Sequence, residues 1–262
     1  MARVKNFKEQ IGRLSLHLLD TTIDLSVFLV ALGFSTYIYS RQTDGIVRSI
    51  ETAVWAKRVF RQKVLKGGFW NARRKGLLEK EGGGWQITDA GKEYLRKILP
   101  VYKKKRPWNG KIYLVTYDVP EKRHRERNLL REYLKRIGCG MLQASVWLTP
   151  YNPRENLKEF LADYKLGGWV IVSDIGKDGN VGQLAIRDLV RQVYKLEELN
   201  SRYREFLQEA EEKKRDLLSL SFSYLAVLKD DPQLPFELLP KDWWGERAYA
   251  VFKTLPTFQY FS

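Results

Sequence analysis

The chain has 262 residues and carries 46 Lys and Arg against 31 Asp and Glu, a formal charge of +15. Its hydrophobic content of 44% excludes wholesale disorder, and its single cysteine excludes both an intramolecular disulfide framework and a cysteine-based zinc cluster. Two distant histidines, His17 and His124, exclude a His-rich metal site. The positive surplus points to a polyanionic partner, nucleic acid ahead of an acidic membrane. It is uneven: +13 falls in residues 1–106, +3 in 107–198 and −1 in 199–262.

The most apolar stretch, Leu14 to Tyr39, is interrupted by Asp20 and Asp24. Its uncharged part, Leu25 to Tyr39, is 15 residues long, short of the roughly 20 that a spanning helix needs. No small-residue cleavage site follows it. A buried helix, no membrane partner and a cytoplasmic location are expected. Leu16, Leu19, Ile23, Val27 and Val30 predict a helix over Leu14–Gly33. Thr43-Asp44-Gly45 opens a second, with Ile46, Ile50, Ala53 and Val54 as its stripe.

A third helical stretch, Lys57 to Lys75, is expected to break at Gly67-Gly68. Its polar positions are Arg58, Arg61, Lys63, Lys66, Asn71, Arg73, Arg74 and Lys75. Gly76-Leu77-Leu78-Glu79 reads as a strand, Gly82-Gly83-Gly84 as a turn and Trp85-Gln86-Ile87 as the return strand. Thr88 or Asp89 then caps a closing helix, Lys92–Leu99. This is the order of a winged helix-turn-helix, expected over residues 1–101. A helix about 10–12 Å wide fits the major groove, where basic and amide side chains meet phosphates and base edges. The three glycines would form a wing tip able to lie close to the DNA backbone. A basic helix alone is usually a solvated surface; the attached hairpin and closing helix favour binding of double-stranded DNA. Trp55, Phe60, Phe69 and Trp70 punctuate this region at helical spacing, which favours core over base stacking.

Tyr102-Lys-Lys-Lys-Arg-Pro107 reads as an exposed connector. A second domain is expected over 108–180, with the order βαββαβ of a ferredoxin-like sandwich. Its parts are a strand Lys111–Tyr117, a helix Glu121–Ile137 stopped by Gly138-Cys-Gly140, two short strands or one bent hairpin over Met141–Leu148 around Gln143-Ala144, a helix Asn152–Tyr164 and a strand Trp169–Ser173. A turn-rich cluster, Gly176 to Asn180, marks the next boundary. Residues 181–262 are expected to be helical. Gln183–Leu218 should break at Leu199-Asn200, with Leu189, Val193, Leu196, Tyr203, Phe206 and Ala210 forming either a dimer seam or an intradomain face. A proline-rich bend, Asp231 to Pro240, precedes a final helix, Trp243–Leu255. The fold class is α+β.

Few side chains suggest chemistry. His124 sits in Lys122-Arg-His-Arg125, where a solvated basic face outweighs a general base. Cys139, between two glycines, reads as a small buried residue rather than a reactive thiol. Trp243 and Trp244 either line an effector pocket or plug a domain boundary.

The phrase Gly76-Leu-Leu-Glu followed by Trp85-Gln-Ile-Thr-Asp-Ala-Gly91 resembles the wing of many bacterial regulators. Tyr113-Leu-Val-Thr-Tyr-Asp-Val-Pro120 with Gly138-Cys-Gly-Met-Leu-Gln-Ala-Ser-Val-Trp147 resembles the second universal CRISPR-associated protein. Asp231-Pro-Gln-Leu-Pro-Phe-Glu-Leu-Leu-Pro-Lys-Asp-Trp243 resembles the C-terminal region of PaaX, the phenylacetic acid degradation repressor. PaaX-type regulators join the same three modules in this order. The resemblance implies a transcriptional repressor without enzymatic activity. As a homodimer it would hold an inverted-repeat operator, to be released by a small-molecule effector such as an aromatic acyl-CoA. The CRISPR-like domain carries an alternative, a metal-dependent nuclease with Asp118 binding Mg or Mn across a dimer axis. Against it, Asp118 would cap the helix after Pro120 or pair with Arg123 or Arg125.

Overall fold

A computed structural model describes residues 24, 27, 62–81, 84–176, 180–181, 184–212, 217–255 and 258. In chain order, the first elements are α1 (Gln62–Arg74), β1 (Leu78–Glu81), β2 (Gly84–Ile87) and α2 (Asp89–Ile98). Next come β3 (Lys111–Tyr117), α3 (His124–Arg136), β4 (Gly140–Gln143), β5 (Val146–Thr149), α4 (Arg154–Asp163) and β6 (Val170–Gly176). The chain continues with β7 (Asn180–Val181), β8 (Leu184–Ala185), α5 (Ile186–Val193), α6 (Leu196–Glu211), α7 (Leu217–Asp230) and α8 (Gly245–Thr254). The class is α+β with antiparallel sheets. Among the described residues, no helix is long and apolar enough to cross a membrane. The predicted helices over 14–33 and 43–54 lie outside the described residues, apart from Asp24 and Val27, which are helical and buried. Asp24, which breaks the apolar run in the sequence, accepts a hydrogen bond from the Tyr94 hydroxyl.

Two compact units emerge. One takes its described residues from Met1–Tyr102, Ser201–Asp230 and Trp244–Ser262; the other comprises Lys103–Asn200 and Asp231–Trp243. In the first, α1 runs unbroken through Gly67-Gly68, where the sequence predicts a break. Each glycine costs a helix interior about 1 kcal/mol relative to alanine. Burial of Phe69 and Ala72 on the inner face outweighs that cost. Phe69 packs against the buried Trp85 of β2 at 5.7 Å. The helices α6, α7 and α8 share an aromatic core. Tyr224 stacks on Phe252 at 4.2 Å and meets Phe206 at 5.4 Å, all three buried. Arg202 of α6 pairs with Asp230 at the end of α7 at 2.8 Å.

The second unit is built on a four-stranded antiparallel sheet in the order β4-β5-β3-β6, the ferredoxin-like βαββαβ arrangement. Strand β3 lies between its partners, with Val115 opposite Trp147 of β5 and Val172 of β6. On one face Val115, Tyr117 and Trp147 pack with Leu130 and Leu134 of α3 and Leu157 of α4. By strand alternation, Ile112 and Leu148 point to the other face, and they too are fully buried. The end of α5 covers that face where Gly140 lies. A Cβ on Gly140 would come within 2.4 Å of Val193 and 3.0 Å of the Tyr194 ring.

Two features depart from the sequence pattern. The helical break falls at Tyr194-Lys195, not at Leu199-Asn200, which lie inside α6. Lys195 takes a left-handed φ of 51°. The Tyr194 hydroxyl is held by the backbone of the sheet: it accepts from the Gly140 N–H at 3.1 Å and lies 2.8 and 2.9 Å from the carbonyls of Gly138 and Leu148. That anchor decides where the helix turns. Second, the Tyr102–Pro107 run is not uniformly exposed. Lys103, Lys104 and Lys105 are exposed, but Tyr102 and Arg106 are buried. Arg106 donates to the Lys103 carbonyl at 3.1 Å and the Leu234 carbonyl at 3.2 Å, and covers the Phe236 ring. Gln233 accepts from the Lys103 N–H at 2.6 Å. The proline-rich bend is therefore a clamp on residues 103–106. Gly140→Ala should destabilise this unit by about 1–3 kcal/mol through overpacking, read as a lower midpoint in urea unfolding.

Candidate nucleic-acid interface

The basic helix α1 ends in a Schellman motif. Gly76 adopts φ 70°, its N–H bonds the Arg73 carbonyl at 2.8 Å, and the Leu77 N–H bonds the Ala72 carbonyl at 2.9 Å. Glycine takes this left-handed conformation without the strain a Cβ would bring. The stop turns the chain straight into the hairpin. Strands β1 and β2 pair antiparallel, with Leu78 opposite Ile87 and Lys80 opposite Trp85.

Thr88 closes the assembly. Its hydroxyl donates to the Gly76 carbonyl at 2.6 Å and, as N-cap of α2, accepts from the Gly91 N–H at 3.0 Å. Its own N–H bonds the Leu77 carbonyl at 3.2 Å. Gly91 packs so closely that a Cβ there would lie 2.2 Å from the Leu77 oxygen. One threonine and one glycine thus lock α1, the hairpin and α2 together. Of the two N-cap candidates, Thr88 is the cap; Asp89 occupies the first turn and pairs with Lys92 at 2.8 Å.

Of the eight predicted DNA-facing residues, Arg58 and Arg61 lie outside the described residues. Lys63 and Lys66 belong to α1. Asn71 is half-buried and accepts from Arg74 at 2.9 Å, while Arg73, Arg74 and Lys75 are exposed. The structure therefore gathers three exposed cations at the end of α1, beside the hairpin. Gly82 and Gly83 lie outside the described residues, and Gly84 begins β2. Trp55 and Phe60 lie outside as well, and Phe69 is core as expected. Trp70 is not core: it is 42% exposed, edge-on to Trp85 at 5.8 Å, with Arg73 and Lys80 about its ring at 5.5 and 5.6 Å. Helical spacing cannot separate Trp70 from Phe69, because adjacent residues straddle the boundary of the apolar stripe.

In the second unit, Asp118 follows β3 and is exposed, its N–H bonded to the Trp169 carbonyl at 3.0 Å. The turn after Pro120 has no side-chain cap. Arg123 pairs instead with Glu126 at 3.1 Å and donates to the Tyr164 and Lys165 carbonyls. Among the described residues, no three His, Cys, Asp or Glu side chains gather as a metal site. His124 is exposed at the start of α3. Cys139 is buried, and burial pushes its thiol from 9.0 up to about 12.

Residues 105–180 match the family model described as the PaaX protein central Cas2-like domain, and residues 194–258 match the PaaX-like protein C-terminal domain. The chain belongs to the PaaX family. Membership of the PaaX family makes transcriptional regulation the general role of this chain. A fold likeness extends to the uncharacterized protein Rv0674 from Mycobacterium tuberculosis, with a TM-score of 0.53 and 19% identity. It covers 90% of this chain and 93% of that one. No curated protein matches.

Two glycines of this PaaX-family chain give a matched test. Gly91→Ala should cost about 1–3 kcal/mol because backbone must move. Gly67→Ala meets nothing within 4 Å, and should stabilise α1 by about 0.5–1 kcal/mol. Thermal melts of both variants check the pair. Native Cys139 should resist iodoacetamide at about pH 8, labelling only as urea unfolds the chain.

Proposed function

We propose that the chain is a repressor that binds double-stranded DNA as a homodimer, through a winged helix-turn-helix over residues 1–101. The observation that carries this reading is the end of α1, where exposed Arg73, Arg74 and Lys75 stand beside a hairpin locked to the helix. The lock sets the hairpin at a fixed angle to the cationic end of α1, so both can reach one DNA backbone. On this reading Arg58, Arg61, Lys63 and Lys66 would add contacts to phosphates and base edges, and Gly82 to Gly84 would form the wing tip. A two-fold operator follows from a two-fold dimer. The other modules, 108–180 and 181–262, would serve dimerisation and response to an effector such as an aromatic acyl-CoA. This role places the protein in the cytoplasm with its DNA.

The alternative, nuclease chemistry at Asp118 with Mg or Mn, finds one exposed carboxylate in each chain. Among the described residues of one copy no three His, Cys, Asp or Glu side chains gather about it, so a divalent ion would need Asp118 from both copies of a dimer.

Selection from a random duplex library should return an inverted repeat. Replacing Arg73 and Arg74 with Ala should weaken binding to it by about tenfold or more and lower the salt slope by about 2. Parental affinity in that double variant at matched salt would refute the assignment. Asp118→Asn should leave operator binding unchanged in the same anisotropy titration.

A further inference from the structure

In the second unit, α3 and the edge strand β4 line an open cleft of about 490 Å3. This volume is within the range of small-molecule sites. Asn128, Arg131, Glu132 and Lys135 line it from α3, at spacings that put them on one face of the helix. Met141 of β4 and Trp147 of β5 line it from the sheet, directly opposite each other across the two strands. Trp147 is 1% exposed, whereas Met141 is 54% exposed.

Two groups here lack the partner their chemistry calls for. The Trp147 indole N–H is buried and has no hydrogen-bond partner among the described residues. A buried donor left unpaired is penalised about as much as a lost hydrogen bond, and an acceptor brought to it removes that penalty. The second group is the Arg131 guanidinium. It donates to the Tyr117 hydroxyl at 3.0 Å and the Ala144 carbonyl at 3.3 Å, both neutral. The acids around it are committed elsewhere, Glu132 to Lys135 at 2.8 Å and Glu121 to Arg127 at 2.8 Å. The cleft thus keeps one positive charge that no carboxylate matches among the described residues. Met141 is unbranched and flexible, so it is the part of the wall that yields to let an acceptor reach the indole. Trp147 is too deeply buried to offer a ring face for stacking. The apolar contact falls to Met141, which suits a narrow aliphatic chain better than a flat ring.

We propose that this cleft binds a small aliphatic carboxylate. Its oxygens accept from the Trp147 N–H and from Arg131, with the Asn128 amide as a further donor, and its chain lies along Met141. A carboxylate completes both unmatched groups at once, because it carries the negative charge that Arg131 lacks and the lone pairs that the indole N–H lacks. The Arg131 guanidinium, with the Tyr117 hydroxyl that donates to Ala144 at 2.7 Å, already ties α3 to the turn between β4 and β5. A ligand on the same guanidinium therefore stabilises the second unit by mass action. The site lies between residues 128 and 147, so it does not rest on the DNA-binding reading, and its test uses no DNA.

The experiment is titration of the isotopically labelled full chain with sodium hexanoate, neutral hexanamide and sodium chloride at matched ionic strength. Triple-resonance NMR assigns Trp147 among the eight tryptophan indole N–H signals, and the titration follows that signal. Hexanoate should shift it saturably, with a Kd below about 10 mM. Hexanamide should bind at least about tenfold more weakly, and chloride should leave the signal in place. Arg131→Gln should weaken hexanoate by about tenfold or more. A Trp147 signal unmoved up to about 10 mM hexanoate would overturn the proposal, as would an equal response to hexanamide or chloride. So would parental affinity in an Arg131→Gln variant with a parental melting curve. The comparison of hexanoate with hexanamide needs no variant, so a misfolded mutant leaves the test decisive.

Discussion

The carbonyl of Leu77 is where the basic module is held together. It accepts the Thr88 N–H, and Gly91 packs against it too closely for any side chain atom. The N–H of the same residue ends α1 by bonding Ala72. A backbone oxygen cannot move without its peptide plane, so this point is stiffer than any side-chain contact. The angle between the basic helix and the hairpin depends on it. So does the value of the exposed arginines, because a cation contributes to a DNA interface only where it can reach a phosphate.

The second unit solves a similar problem with a hydroxyl. Tyr194 reaches back to Gly138, Gly140 and Leu148, and so fixes α5 against the open face of the sheet. Ferredoxin-like sheets carry their helices on one face. Here the other face is sealed at the Gly140 end by α5, and Ile112 and Leu148 are buried as deeply as the residues beneath α3 and α4. The clamp on Arg106 by Leu234 and Phe236 performs a related task at the start of the unit. Both devices join residues far apart in sequence, across 54 positions for Tyr194 and Gly140 and 128 for Arg106 and Leu234.

Local patterns were legible. The strand β3, the helix α3, the extended region that forms β4 and β5, and a cap at Thr88 or Asp89 all arise from residues within one or two turns of each other. The departures share a cause. Glycines 67 and 68 read as a break, yet Phe69 and Ala72 hold the helix through them. Leu199-Asn200 read as a break, yet the anchored Tyr194 moved the turn earlier. Arg106 read as one of four linker cations, yet it is a buried donor to two carbonyls. Trp244 was legible as an aromatic of uncertain use; the two arginines about its ring, Arg204 of α6 and Arg247 of α8, were not, since nothing in the spacing brings Arg204 to it.

Sequence by itself determined which segment is basic, the order of strands and helices in the central sheet, and membership of the PaaX family, because charge, periodicity and family phrases are properties of the chain read in order. Tertiary structure alone decided where helices end, which cations are spent on carbonyls and which face solvent, and which arginines meet at Trp244. Those outcomes depend on burial and on hydrogen bonds between distant residues, and a side chain's role follows from the partner that folding delivers to it.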